Sequence, residues 1–76
     1  MSKHKATRVR NDIRALRRAA GDMTQADLAK RIGMTRQTVI AIEQGRYAPS
    51  LEAAFKIARA LGRPIDDVFA YDEAEV

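Results

Sequence analysis

The sequence predicts an all-α domain of five short helices. Three observations carry that reading. Apolar residues recur at spacings of three and four, Thr24, Thr35 and Ser50 stand where helices need capping oxygens, and glycines at 21, 33, 45 and 62 punctuate the runs. A chain of 76 residues makes a single domain, small enough to bury only about 60% of its unfolded surface.

Residues 8–20 carry Val9, Ile13, Leu16 and Ala20 on one face, which predicts a first helix ended by Gly21. In "MTQADLAKRIG", Thr24 is the N-cap and Asp27 falls three residues later, where a capping box wants a carboxylate. Leu28 and Ile32 share the buried face of this second helix, and Gly33 supplies its left-handed exit. A third helix starts from Thr35, points Val39 and Ile42 inward and ends near Gly45; "RYAPS" is a turn with Ser50 as the next cap. Leu51, Ala54, Phe55, Ala58 and Leu61 form the stripe of a fourth helix stopped by Gly62. Pro64 opens a short fifth helix through Phe69, and "FAY" is also able to pair as a short strand. No strand alternation is expected elsewhere. The expected organisation is a flexible basic arm at 1–7, a helix-turn-helix domain at 8–70 and an acidic tail at 71–76.

Composition narrows the function. The chain lacks cysteine and has one histidine, His4, in its polar N-terminal stretch, so no metal site, no cofactor site and no nucleophile–base constellation is expected, and the chain does not read as an enzyme. No run approaches a membrane span or a signal peptide, which leads us to expect a soluble cytoplasmic protein with no membrane partner. The net charge of +4 hides an asymmetry: residues 1–47 carry +7 and residues 48–76 carry −3. Such separation fits a basic face directed at a polyanion.

The second and third helices are separated only by Gly33, Met34 and Thr35. A turn this short forces them to cross steeply and pack closely, with Ala29 small at the approach, as in a helix-turn-helix unit. The run "TQADLAKRIGMTRQTVIAIEQGRYAPSLEAAFKIARALG" followed by "PIDDVF" resembles the Xre family of phage-repressor and Cro type regulators, in their short single-domain form. The resemblance spans about residues 9–69. It implies a five-helix phage-repressor-like bundle that binds double-stranded operator DNA, usually as a two-fold homodimer, with the third helix in the major groove. Two positions depart from the family pattern: the segment from Leu16 to Thr24 is one residue longer, and Ile40 stands where a polar residue is more common.

Position by position, Gln25 matches the residue that holds a backbone phosphate. Arg36, Gln37 and Thr38 match the recognition positions, Ala41 a base-facing site one turn later, and Arg46 the basic loop residue beside the phosphates. Arg36 at a helix start is itself informative, because free N–H groups there usually attract acids. Its planar fork suits guanine O6 and N7, as Gln37 suits adenine N6 and N7. Thr38 either contacts DNA or satisfies free N–H groups of the first turn, whereas Thr35 is a cap whatever else it touches. Tyr47 either reaches the sugar-phosphate backbone or packs over the fourth helix. Lys3, Lys5, Arg8 and Arg10 form either an arm along DNA or a solubilising tail.

Arg17 falls on the inward face of the first helix and needs a carboxylate; Glu43 is the expected partner, a bridge the resemblance also suggests, with Arg18 the alternative if the longer turn shifts the register. Leu61, Ile65, Val68, Phe69 and Tyr71 are the candidate dimer contacts. The alternative function is that of an antitoxin or other protein-interaction module that also binds DNA. Neither the operator sequence nor repression versus activation is written in these residues.

Overall fold

The computed structural model describes residues 7–73. All of the expected arm but Thr7, and residues 74–76 of the expected tail, lie outside them. The elements run β1 (Val9–Asn11), α1 (Ile13–Ala19), α2 (Gln25–Ile32), α3 (Arg36–Glu43), α4 (Leu51–Leu61), α5 (Ile65–Val68) and β2 (Phe69–Tyr71). Among the described residues five helices are present as expected, and a small two-stranded sheet is added to them.

That sheet corrects the first helix. Residues 9–11 are extended, not helical, and pair antiparallel with β2, placing Val9 opposite Tyr71, Arg10 opposite Ala70 and Asn11 opposite Phe69. Asn11 ends the strand and starts the helix: its Oδ1 accepts from the Ile13 N–H at 3.2 Å, and its Nδ2 donates to the Ile42 carbonyl at 2.9 Å. The Asp12 N–H donates to the Val68 carbonyl at 3.0 Å. An asparagine that offers the backbone such bonds competes with helix, and here it wins. The strand potential of "FAY" is realised, with β1 as its partner.

The other helix ends follow their local chemistry. Thr24 Oγ1 accepts from the Asp27 N–H at 2.9 Å while Asp27 Oδ2 accepts from the Thr24 N–H at 3.1 Å, completing the capping box. Thr35 and Ser50 accept from the N–H groups of Thr38 and Ala53. Gly33 has φ of 72°, and the N–H of Met34 returns to the Ala29 carbonyl at 2.9 Å, so the turn into α3 is a Schellman closure. Two successive left-handed residues, Gly21 and Asp22, follow α1.

Ile13, Leu28, Ile32, Val39, Ile42, Ile57, Leu61 and Val68 share one core with Met23 and Ala29. The buried face of α4 differs from the expected stripe: Ala53, Ala54, Ile57, Ala58 and Leu61 are inward, whereas Leu51 is 70% and Phe55 50% exposed. Ala53 and Ile57 take the inward places that the stripe gave to Leu51 and Phe55. The expected dimer contacts are corrected too. Leu61 and Val68 are spent in the core, Ile65 and Phe69 pack partly against it, and Tyr71 alone of the five is exposed. No helix among the described residues is long and apolar enough to cross a membrane.

Candidate nucleic-acid interface

The turn at Gly33 ends α2 and delivers the start of α3 to the surface. Thr35 sits in extended backbone and caps α3, its Oγ1 accepting from the Thr38 N–H at 3.1 Å and lying 3.0 Å from the Thr38 hydroxyl. The Thr38 hydroxyl thus meets the Thr35 hydroxyl and not a free N–H group of the first turn. Arg36 and Gln37 come next on the exposed side, and the first turn holds no acid. Among the described residues the Arg36 guanidinium has no carboxylate partner. Ala41 is half-buried one turn later, and Ile40 beside it is half-buried as well.

The end of α3 fixes the next pair of candidates. Gly45 has φ of 75°, its N–H donates to the Ile42 carbonyl at 3.0 Å, and the Arg46 N–H donates to the Ala41 carbonyl at 3.0 Å. This Schellman closure turns the chain sharply out of the helix. Arg46 and Tyr47 therefore leave α3 as exposed residues, with Tyr47 45% accessible.

Gln25, first residue of α2, is half-buried in an open cleft together with Arg14, Arg18, Ala26 and Arg36. Sequence reasoning missed Arg14 and Arg18 as neighbours of Gln25. They stand four residues apart on the exposed side of α1, a spacing that puts both on one helix face and was the available clue. Gln25 Nε2 donates to Glu43 Oε1 at 3.1 Å. Glu43 is also the partner of Arg17, which donates through Nε at 2.7 Å and Nη2 at 3.1 Å while its Nη1 donates to the Met23 carbonyl at 2.9 Å. Arg17, and not Arg18, fills the inward position. The expected bridge is present, with side chains only 10% and 9% exposed.

The two helix starts in the cleft differ electrically. At α2, Asp27 is held below the ordinary carboxyl range by the Thr24 backbone N–H first and by the Thr24 side chain second. Its negative charge sits in the first turn, where it complements the helix dipole. At α3 the corresponding turn presents Arg36, adding positive charge to the positive end of the dipole. Anions are thus favoured there by both the guanidinium and the free N–H groups. Of the residues expected to meet DNA, Gln25 and Arg36 share the cleft; Gln37, Thr38, Ala41, Arg46 and Tyr47 lie along α3 and its exit turn.

Comparison with known proteins adds an independent observation. The sequence profile of the helix-turn-helix family HTH_3 matches residues 13–68. The chain is 55% identical over 58 residues to an HTH-type transcriptional regulator of Methanocaldococcus jannaschii, covering 76% of this chain and 88% of the relative. It is 32% identical over 59 residues to the cryptic phage CTXphi transcriptional repressor RstR of Vibrio cholerae, covering 78% of this chain and 53% of that one. The restriction-modification controller protein C.AhdI of Aeromonas hydrophila superposes with a TM-score of 0.67 at 34% identity, over 72% of this chain and 82% of its own.

Proposed function

The chain belongs to the helix-turn-helix family HTH_3, whose Xre-type members are DNA-binding transcriptional regulators, and from that premise we propose that it reads a specific operator through α3 in the major groove. The observation that carries the proposal is the start of α3: Arg36 and Gln37 exposed, no acid in the turn, and no carboxylate on Arg36 among the described residues. Arg36 pairs with guanine O6 and N7, and Gln37 with adenine N6 and N7. Ala41 faces bases one turn further along, where its methyl suits a thymine methyl. Thr35 and Thr38 hold the turn rigid beside the DNA. Gln25, Arg46 and Tyr47 contact the sugar-phosphate backbone and set the register of the helix in the groove.

One recognition helix reads few bases, so useful selectivity calls for a homodimer on a palindrome with half-sites about 34 Å apart. Leu51, Phe55 and Tyr71 are the exposed apolar side chains available for that contact. The test is selection of bound sequences from a random duplex pool at about 0.15 M salt, a concentration at which non-specific phosphate binding is weak. Enrichment of a palindrome is expected, with Gln37→Ala shifting the preferred bases. Weak binding without enrichment would defeat the proposal, and a winning site lacking two-fold symmetry would defeat its dimeric part.

A further inference from the structure

Glu43 ends α3 with a carboxylate shared by two other segments. Its Oε2 accepts from Arg17 of α1, and its Oε1 accepts from both Arg17 and Gln25, the first residue of α2. We propose that Glu43 is a positioning residue for DNA binding, which orients the Gln25 amide so that its second Nε2 proton faces a phosphate. The proposal rests on the phosphate contact assigned to Gln25 above.

The chemistry of the amide explains why it needs a positioner. A glutamine side chain ends in a donor and an acceptor of nearly equal size, and only the donor is useful against a phosphate. A carboxylate accepts and cannot donate, so Glu43 holds only the NH2 end of Gln25. Nε2 has two protons; one is taken by Glu43 Oε1, and the other is left for an outside acceptor. The same carboxylate would repel a phosphate if it stood alone. Arg17 removes that difficulty, since its guanidinium pairs with both oxygens of Glu43 and is itself fixed by the Met23 carbonyl.

The arrangement also has a geometric consequence. Glu43 is the last residue of α3, and Gln25 the first of α2. One buried side chain therefore ties the helix assigned to the bases to the residue assigned to the backbone. The position of the phosphate contact is set by the recognition helix itself and not by the free rotation of an exposed glutamine.

A double-mutant cycle tests this, measured on the selected duplex and on a scrambled one. Gln25→Ala is expected to weaken binding about tenfold, the size of one hydrogen bond to a charged group. Glu43→Gln, which no longer dictates which end of Gln25 is held, should cost nearly as much. The double variant should bind within about twofold of the weaker single variant, since both remove one contact. Both duplexes should show the same ratios, because a phosphate contact carries no sequence information. Losses that multiply would overturn the inference. In the unmutated chain, side-chain amide resonances give an independent reading that needs no variant to fold. One Gln25 Nε2 proton should be protected before DNA is added, and the second should join it afterwards. Loss of protection at the first proton on binding would show Gln25 leaving Glu43 and would overturn the inference. If the unmutated chain bound no duplex, the DNA reading and this inference would fall together, whereas multiplying losses in a binding protein sink the inference alone.

Discussion

The start of α2 and the start of α3 are built from the same cap, a threonine in extended backbone whose oxygen accepts from the N–H three residues on. Beyond the cap the two helices diverge. At α2 the chain meets most of the site with its own groups: Asp27 closes the capping box, and Glu43 takes one of the two Gln25 Nε2 protons. At α3 the next two side chains are Arg36 and Gln37, exposed and without an acid in the turn. A helix start that satisfies itself contributes to folding, and one that gathers positive charge without an internal partner is available to an external anion.

The largest expected effect is on the folding side. Glu43→Ala leaves Arg17, 10% exposed, without its carboxylate, and should lower unfolding free energy by about 3–5 kcal/mol. Replacing both partners, Arg17→Met with Glu43→Leu, should cost less, because no unpaired charge remains. Urea unfolding followed by circular dichroism measures both. A single-variant loss under about 1 kcal/mol, the range of exposed pairs, would place this bridge at the surface energetically.

Substitutions of Arg36 should do the opposite, altering binding while leaving folding nearly untouched. Arg36→Ala is expected to cost about 1–3 kcal/mol of discrimination at one operator position while unfolding free energy stays within about 0.5 kcal/mol. Arg36→Glu separates the two properties further. An acid at this helix start should raise stability by about 0.3–1 kcal/mol at low ionic strength, yet its charge would repel the phosphates and abolish binding. Fluorescence anisotropy with a labelled operator, beside thermal melting of the same samples, gives both numbers. If Arg36→Glu lowered the melting temperature, the first turn of α3 would have a structural role that the comparison denies it.

The contrast between local and distant bonding also explains which parts of the fold were legible in the sequence. Thr24, Thr35 and Ser50 bond N–H groups three residues away, so a short window contains everything that defines them. The Arg17–Glu43 bridge spans 26 residues but was betrayed by a charge on an apolar stripe. Strand β1 left no such mark. Val9 and Ile13 have helical spacing, yet only Ile13 is helical, and the strand through Val9 becomes definite only when Phe69–Tyr71 arrive from the far end of the chain. On α4 the expected stripe holds at Ala54, Ala58 and Leu61 and fails at Leu51 and Phe55, whose places Ala53 and Ile57 take. At the candidate interface, the exposed start of α3 is legible through the charge of Arg36 at a helix start. The partnership of Gln25 with Glu43 was not, because a glutamine at a helix start carries no sign of what it bonds.

The smallest expected effect concerns acid. Asp27 has its carboxyl held below the ordinary range by the Thr24 N–H and hydroxyl. A carboxyl depressed in the folded state contributes stability that is fully present above its unfolded value and lost as pH falls through the lower folded value. The start of α2 should therefore weaken on the acid side of the ordinary aspartate range, whereas the first turn of α3 has no acid to protonate. Carbon-detected titration of the Asp27 carboxyl should find it below the ordinary value in the unmutated chain. Thr24→Val should raise it only part of the way, since the backbone N–H, the larger cause, survives the substitution. Asp27→Asn should remove this part of the acid sensitivity while leaving Arg36 and the affinity for the operator unchanged. An Asp27 that titrates at the ordinary value would mean that its box exerts no hold on the charge, although the charge itself would still set the start of α2 apart from that of α3 at neutral pH.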